Sequence, residues 1–303
     1  MKNNKQAILI GGDGFIGSNL NIYLKKSFLN TFVVSSQKKK EKNKIYYKNI
    51  TELKKLNKKK FYIFYLVGKS LPNSGFKQFQ NQLVYEIKTL LFYLKIFDNK
   101  NSKWVFISSA GTVYGENKKK NKEYKTDLNP ISHYGLIKLI SEKTLYLFNQ
   151  KHKINYSIAR LSNPYGPGQL NKKKKHGFIV NLLNSYLSKN FNFFVYNNGE
   201  VMRNYIYIDD ACEGIYKVAI NGKRAEIYNI GHSKSYSLNE IIKISKKFFK
   251  KNNKLIFKKK DNKHEVQINI LDTSKANKEL GFRATTSIYT GIKKTISWLK
   301  LNN

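Results

Sequence analysis

"QAILIGGDGFIG", residues 6–17, decides how the rest of the chain is read. A compact apolar run, Gln6–Gly11, ends in glycine, and Phe15, Ile16, Leu20, Tyr23 and Leu24 then recur at helical spacing. Gly12, Gly14 and Gly17 have the GxGxxG spacing; Gly11, Gly14 and Gly17 give a second reading of the same turn. Between a strand and a helix, glycines permit a tight turn, close approach of a pyrophosphate to backbone N–H groups, and close helix–strand packing. The helix N-terminus faces the phosphates with its partial positive charge. In this setting the motif predicts dinucleotide binding.

Outward from that turn, short β-rich runs alternate with helical patterns. Thr31–Ser36, Phe61–Val67, Lys103–Ser109 and Asn155–Leu161 read as buried strands, and Phe76–Phe97 and Ser132–Gln150 as helices. Parallel neighbours need crossover connections, so the alternation predicts an α/β fold: a Rossmann doubly wound parallel sheet. After Asn163 the character changes. "NPYGPGQLNKKKKHG" holds two of the four prolines and reads as a loop leaving the sheet. Helices at Phe178–Ser188, Ser237–Lys250 and Ser287–Leu299, with isolated strands, form a smaller C-terminal α/β lobe. The expected division is 1–165 for the dinucleotide-binding domain and 166–303 for the substrate lobe. Part of about 200–235, where "RNYIYIDD" lies, is expected to return to the sheet.

At 303 residues the chain has ample core, and 41% hydrophobic content fits a folded protein. The longest apolar run, Phe61–Gly68, is too short to span a bilayer, and the N-terminus shows no secretory pattern. The single cysteine, Cys212, excludes an internal disulfide and agrees with a reducing compartment, so a cytoplasmic protein is expected. The histidines show no metal-ligand spacing, and no metal is expected. A net charge of +38 invites a nucleic-acid reading. Against it, only Arg160, Arg203, Arg224 and Arg283 are arginines, and the lysines sit in short runs along the whole chain. A compositional bias decorating solvated loops accounts for that pattern better than a nucleic-acid site.

After the second strand an acid would usually take the ribose hydroxyls of NAD, but here the sequence reads "VVSSQKKK". Ser35 and Ser36, with Lys38 and Lys39, would suit a 2′-phosphate, which leaves NAD and NADP both open. "HYGLIKLISEK", residues 133–143, places Tyr134 four residues before Lys138, on one face of a helix. Tyrosine titrates near ~10 in water, and a neighbouring ammonium favours its anion. So placed, a tyrosine can take a proton from a sugar hydroxyl and return it. The pair alone is common on surface helices. Its position after the strand "KWVFISS", well downstream of a dinucleotide turn, gives it weight.

Seven stretches now stand in order: "GGDGFIG", "SSAGTVYG" (108–115), "YGLIK", "RLSNPYGPGQ" (160–169), "RNYIYIDD" (203–210), "YNIG" (228–231) and "LDTSKANKELGF" (271–282). Together they resemble the extended short-chain dehydrogenase/reductase family in its NAD-dependent epimerase/dehydratase branch, closest to nucleotide-sugar 4-epimerases of the UDP-glucose 4-epimerase kind. The resemblance implies that Tyr134 is the acid/base and that Lys138 binds the nicotinamide ribose. It implies that Gly11, Gly14, Phe15, Ile16 and Gly17 line the cofactor pyrophosphate, with Ser35 near the adenosine. Asn163 would hydrogen-bond the nucleotide-sugar and Arg203 face its diphosphate, a reading preferred to a structural salt bridge with Asp209 or Asp210 because arginine is scarce in so lysine-rich a chain. Tyr114 reads as structural or substrate-adjacent. The implied cofactor is NAD, the implied partner a nucleotide-diphospho-sugar, and the implied assembly a homodimer through residues 76–97 and 132–150.

The chain departs from that pattern at defined positions. Where these epimerases carry a Ser or Thr three residues before the Val of "VYG", it has Ala110, so Ser109 or Thr112 is expected to supply the hydroxyl. The Thr-Asp-Glu of the dehydratases is replaced by Ala110, Gly111 and Thr112, which removes the extra acid and base that elimination of water needs. Glu86 stands where many relatives have asparagine, and Asn49 where many have an adenine-contacting aspartate. The expected reaction is 4-epimerisation by transient oxidation at C4. A 4-keto nucleotide-sugar reductase using NADPH is the alternative, and a non-catalytic dinucleotide-binding protein the second.

Overall fold

The computed structural model describes residues 3–36, 43–56, 60–68, 76–98, 101–169, 177–188, 192–249, 254–258 and 266–302. The chain begins β1 (Asn3–Ile10), α1 (Phe15–Leu24), β2 (Phe28–Ser35), β3 (Lys44–Tyr46), α2 (Ile50–Leu56) and β4 (Tyr62–Tyr65). It continues with α3 (Phe76–Ile96), β5 (Lys103–Ser109), α4 (His133–His152), β6 (Asn155–Leu161) and β7 (Asn163–Tyr165). Next come α5 (Phe178–Leu187), β8 (Asn192–Tyr196), β9 (Met202–Arg203), β10 (Tyr205–Tyr207), α6 (Ile208–Asn221) and β11 (Glu226–Ile230). The last elements are β12 (Tyr236–Ser237), α7 (Leu238–Lys246), β13 (Lys254–Lys258), α8 (Ser274–Leu280) and α9 (Ile288–Asn302).

Seven parallel strands form the main sheet in the order β11-β6-β5-β4-β1-β2-β3. Alternation along β1 shows how it is buried. Ala7 and Leu9 join one apolar core with Leu20 and Leu24 of α1 and much of α6. Ile8 and Ile10 join the other, with Leu90 and Leu94 of α3 and Leu145 of α4. A strand covered on both faces has no polar side to show, which is why these runs read as continuous apolar sequence. The strand order reverses between β1 and β4, and the crevice outside the carboxyl ends there is where such sheets take ligands.

"RNYIYIDD" does not rejoin this sheet. Tyr205–Tyr207 pairs with Asn163–Tyr165 in a separate two-stranded ribbon, and Arg203 pairs with Tyr236. The strand that returns is β11, in register with β6 from Glu226↔Ser157 to Ile230↔Leu161. The reason is chain length: Ile208–Asn221 is needed as a helix across the sheet before a further parallel strand can be laid down. Among the described residues, no helix is long and apolar enough to cross a membrane.

Candidate active site

The glycine-rich turn joins β1 to α1. Gly11 has φ +82°, and a Cβ there would lie 3.0 Å from the Val67 nitrogen. At Gly17 a Cβ would come within 2.6–2.8 Å of the Gly12 backbone, so only glycine lets α1 pack so tightly on the turn. Gly14 caps α1 without any side-chain bond, and a Cβ on it would meet nothing closer than the Gly11 carbonyl at 3.9 Å. The first N–H groups of the helix are therefore left for a ligand. They open on a cleft of about 920 Å³ lined by Gly11, Gly14, Ser35, Ser36, Leu66–Gly68 and residues of α3. Phe15 and Ile16 sit in the same first turn with their side chains packed against the core.

A second cavity of about 390 Å³ is lined by Ser109, Thr112, Tyr134, Asn163, Arg203, Phe194 and Tyr196 among others. It brings together five sequence-predicted residues, Ser109, Thr112, Tyr134, Asn163 and Arg203, from four separate stretches of the chain. Asn163 gives its amide N–H to the Asn204 carbonyl at 2.9 Å. Arg203 donates to the carbonyls of Met202 (2.9 Å) and Gln267 (3.4 Å). Asp210 is engaged elsewhere: its carboxylate accepts from the Thr286 N–H and hydroxyl.

Tyr134 and Lys138 link the walls of the two cavities. Ser132 caps α4 by accepting from the Gly135 N–H at 3.1 Å. A Cβ at Gly135 would lie 2.7 Å from the Thr112 carbonyl, so glycine lets the start of α4 press against the 109–112 turn. Tyr134 lines the second cavity, and the buried Lys138 reaches back to the first, donating to the Val67 carbonyl at 3.4 Å. Its Nζ lies 5.7 Å from the Tyr134 ring centroid, 5.4 Å from that of Phe106 and 3.9 Å from Glu86 Oε2. Glu86 is here the buried counter-charge to the lysine.

Ala110 is fully buried with Val113, Tyr114 and Leu271 in a small apolar cluster, so nothing polar belongs there. Thr112 Oγ1 is buried and has no hydrogen-bond partner among the described residues, while Ser109 also lines the cavity. Tyr114 is structural. Its hydroxyl accepts from Arg160 (3.0 Å) and donates to Asn229 (2.7 Å), and burial, partly offset by Arg160, pushes its pKa up to about 12.

Beyond the end of β2, tertiary contacts give Asn49 and Ser35 partners that the sequence did not show. Asn49 is the N-terminal cap of α2, exchanging hydrogen bonds with Glu52, and is absent from the cleft wall. Ser35 gives its hydroxyl proton to Asp13, a residue inside the glycine turn to which the sequence assigned no role. Asp13 also pairs with Lys44 at 3.0 Å. An acid placed within that turn was the available signal. Lys38 and Lys39 lie outside the described residues.

The sequence model of the NAD dependent epimerase/dehydratase family matches residues 7–231. A putative UDP-glucose 4-epimerase of Methanocaldococcus jannaschii is 33% identical over 201 residues, 66% of this chain and 64% of that protein. The match therefore spans under two thirds of that relative's length. A dTDP-4-dehydro-6-deoxyglucose reductase of Escherichia coli is 31% identical over 241 residues, 78% of this chain and 74% of that one. The fold is that of the Bacillus cereus UDP-glucuronic acid 4-epimerase solved with UDP-glucuronic acid and NAD, at TM-score 0.85, 24% identity and 98% and 100% coverage. The glycine turn, the open helix end, the paired tyrosine and lysine and the family match agree: the chain belongs to the NAD dependent epimerase/dehydratase family, and its cofactor is NAD.

Proposed function

We propose that the protein is a nucleotide-diphospho-sugar 4-epimerase of the UDP-glucose 4-epimerase kind. The observation that carries this reading is the placement of Tyr134 and Lys138 between a dinucleotide cleft and a second cavity bearing Asn163 and Arg203. NAD, when bound, supplies oxidation and re-reduction at the sugar carbon. The Tyr134 hydroxyl takes the proton of the sugar 4-hydroxyl and gives it back. The Lys138 ammonium stabilises negative charge arising on that oxygen, and its contacts to Val67 and Glu86 keep it in place. Thr112, with Ser109 beside it, offers the further hydroxyl that Ala110 lacks. Arg203 faces the diphosphate, and Phe194 and Tyr196 present flat apolar surface to the base.

No Asp or Glu is among the described residues lining the second cavity, which favours epimerisation over dehydration, since water elimination needs an added acid and base. A 4-keto nucleotide-sugar reductase is the second reading, supported by the Escherichia coli relative. The two are separated by incubating the purified protein with a UDP-hexose and no added reductant. C4 epimer formed with no net change in absorbance at the reduced-nicotinamide band is expected. Turnover only of a 4-keto sugar, with stoichiometric consumption of reduced cofactor, would overturn the epimerase. We also propose a homodimer through α3 and α4, which leave Val84, Leu136, Tyr146 and Leu147 exposed, and a cytoplasmic location. The lone Cys212 is buried, and burial raises its pKa to about 12, consistent with a thiol that has no redox task.

A further inference from the structure

We infer that Asp13 replaces the acid missing after β2, binding the adenosine ribose hydroxyls and making this cleft select NAD over NADP. The carboxylate comes from the glycine turn yet stands at the carboxyl end of β2, where Ser35 donates to one oxygen and Lys44 pairs with the other at 3.0 Å. Asp13, Ser35 and Ser36 share the cleft wall, so the carboxylate faces the place where the strand-end acid of a dinucleotide fold meets the ribose. A carboxylate accepts hydrogen bonds from two ribose hydroxyls but repels a 2′-phosphate.

Lys25 and Lys44 do not reverse this. Lys44 is absent from the cleft wall; with Lys25 and Asn43 it lines a separate groove on the far side of Asp13. Asp13 borders both spaces, screening the cleft from those two cations and neutralising the nearer one. Lys48 and Lys88 do line the cleft, from the β3–α2 connection and from α3, and the wild-type preference measures whether they outweigh Asp13. The same arrangement makes the selectivity reversible in one step, because loss of the Asp13 charge exposes the cleft to Lys44.

The test is binding, not turnover. Protein stripped of co-purified nucleotide is titrated calorimetrically with NAD and NADP, and its melting temperature is recorded with each. Wild type should bind NAD at least roughly tenfold more tightly, the scale of hydrogen bonds to a charged group. Asp13→Asn keeps the shape and the bond to Ser35. It should weaken NAD about tenfold and strengthen NADP, bringing the ratio to unity or beyond. Adding Lys44→Met to Asp13→Asn should remove the NADP gain while leaving NAD binding as in the single variant. An unaltered apo melting temperature in Asp13→Asn would show that the fold is intact. Equal wild-type affinities, or an unchanged ratio in a folded Asp13→Asn, would overturn the role of Asp13 alone. Binding of neither dinucleotide by wild type would overturn the role together with the cofactor assignment.

Discussion

At the scale of single residues, Ala110 is the departure with the most to explain. Its side chain is spent on packing against Val113, Tyr114 and Leu271, and its carbonyl accepts from the Asn269 amide at 3.0 Å. A hydroxyl restored at this position would be buried in an apolar cluster. Thr112 is different: its Oγ1 is buried against the second cavity and has no partner among the described residues, an arrangement that costs stability unless a ligand completes it. Thr112→Val should therefore lower kcat by at least roughly tenfold with the melting temperature held or raised, whereas Tyr134→Phe should lower it by about 10²–10⁴. Steady-state kinetics with NAD saturation checked by fluorescence measures both. If Ser109→Ala carries the loss and Thr112→Val does not, the hydroxyl comes from the other side of Ala110.

At the scale of elements, the active helix α4 is tied to the sheet by charge. Arg160 of β6 grips Glu142 of α4 through two bonds, 3.0 and 2.7 Å, and Ser108 of β5 donates to the same carboxylate at 2.5 Å. All three are buried, and the chain of bonds runs on through Tyr114 to Asn229 of β11. Arg160→Met would leave Glu142 buried without its cation and should cost about 3–5 kcal/mol, read by urea unfolding, with Glu142→Gln added to it recovering part. Glu226 does a related task at the sheet edge, accepting from Lys275 of α8 and from Tyr124 at 2.8 Å. Burial pushes its carboxyl upward, but those hydrogen bonds and the Lys275 charge outweigh that and leave it below the ordinary 4.5. The folded state thus holds fewer protons than the unfolded one between the two pKa values, so stability falls as pH drops through that window. Glu226→Gln should be less stable than wild type at neutral pH, and the gap in melting temperature should close below the depressed pKa. A gap that persists there would assign the effect to packing.

At the scale of the whole molecule, α3 and α4 cover one face of the sheet and carry exposed apolar side chains outward, notably Leu136, Tyr146 and Leu147. Leu147→Asp should convert the proposed dimer to a monomer in light scattering while leaving the apo fold intact; a wild-type monomer would remove the proposal. Much of this architecture is legible in the sequence. Residues 6–17, the apolar strands and the Tyr134/Lys138 spacing are local patterns, in which period and turn chemistry act over a few residues. They determined the sheet, the first cleft and the candidate proton donor. Pairings set by long-range contact were not legible. Tertiary structure alone decided that β11 rather than "RNYIYIDD" joins β6, that Asn49 caps a helix, that Glu86 faces Lys138, and that Asp13 meets Ser35 and Lys44. Side-chain meetings across tens of residues depend on how whole elements stack, and no local period records them.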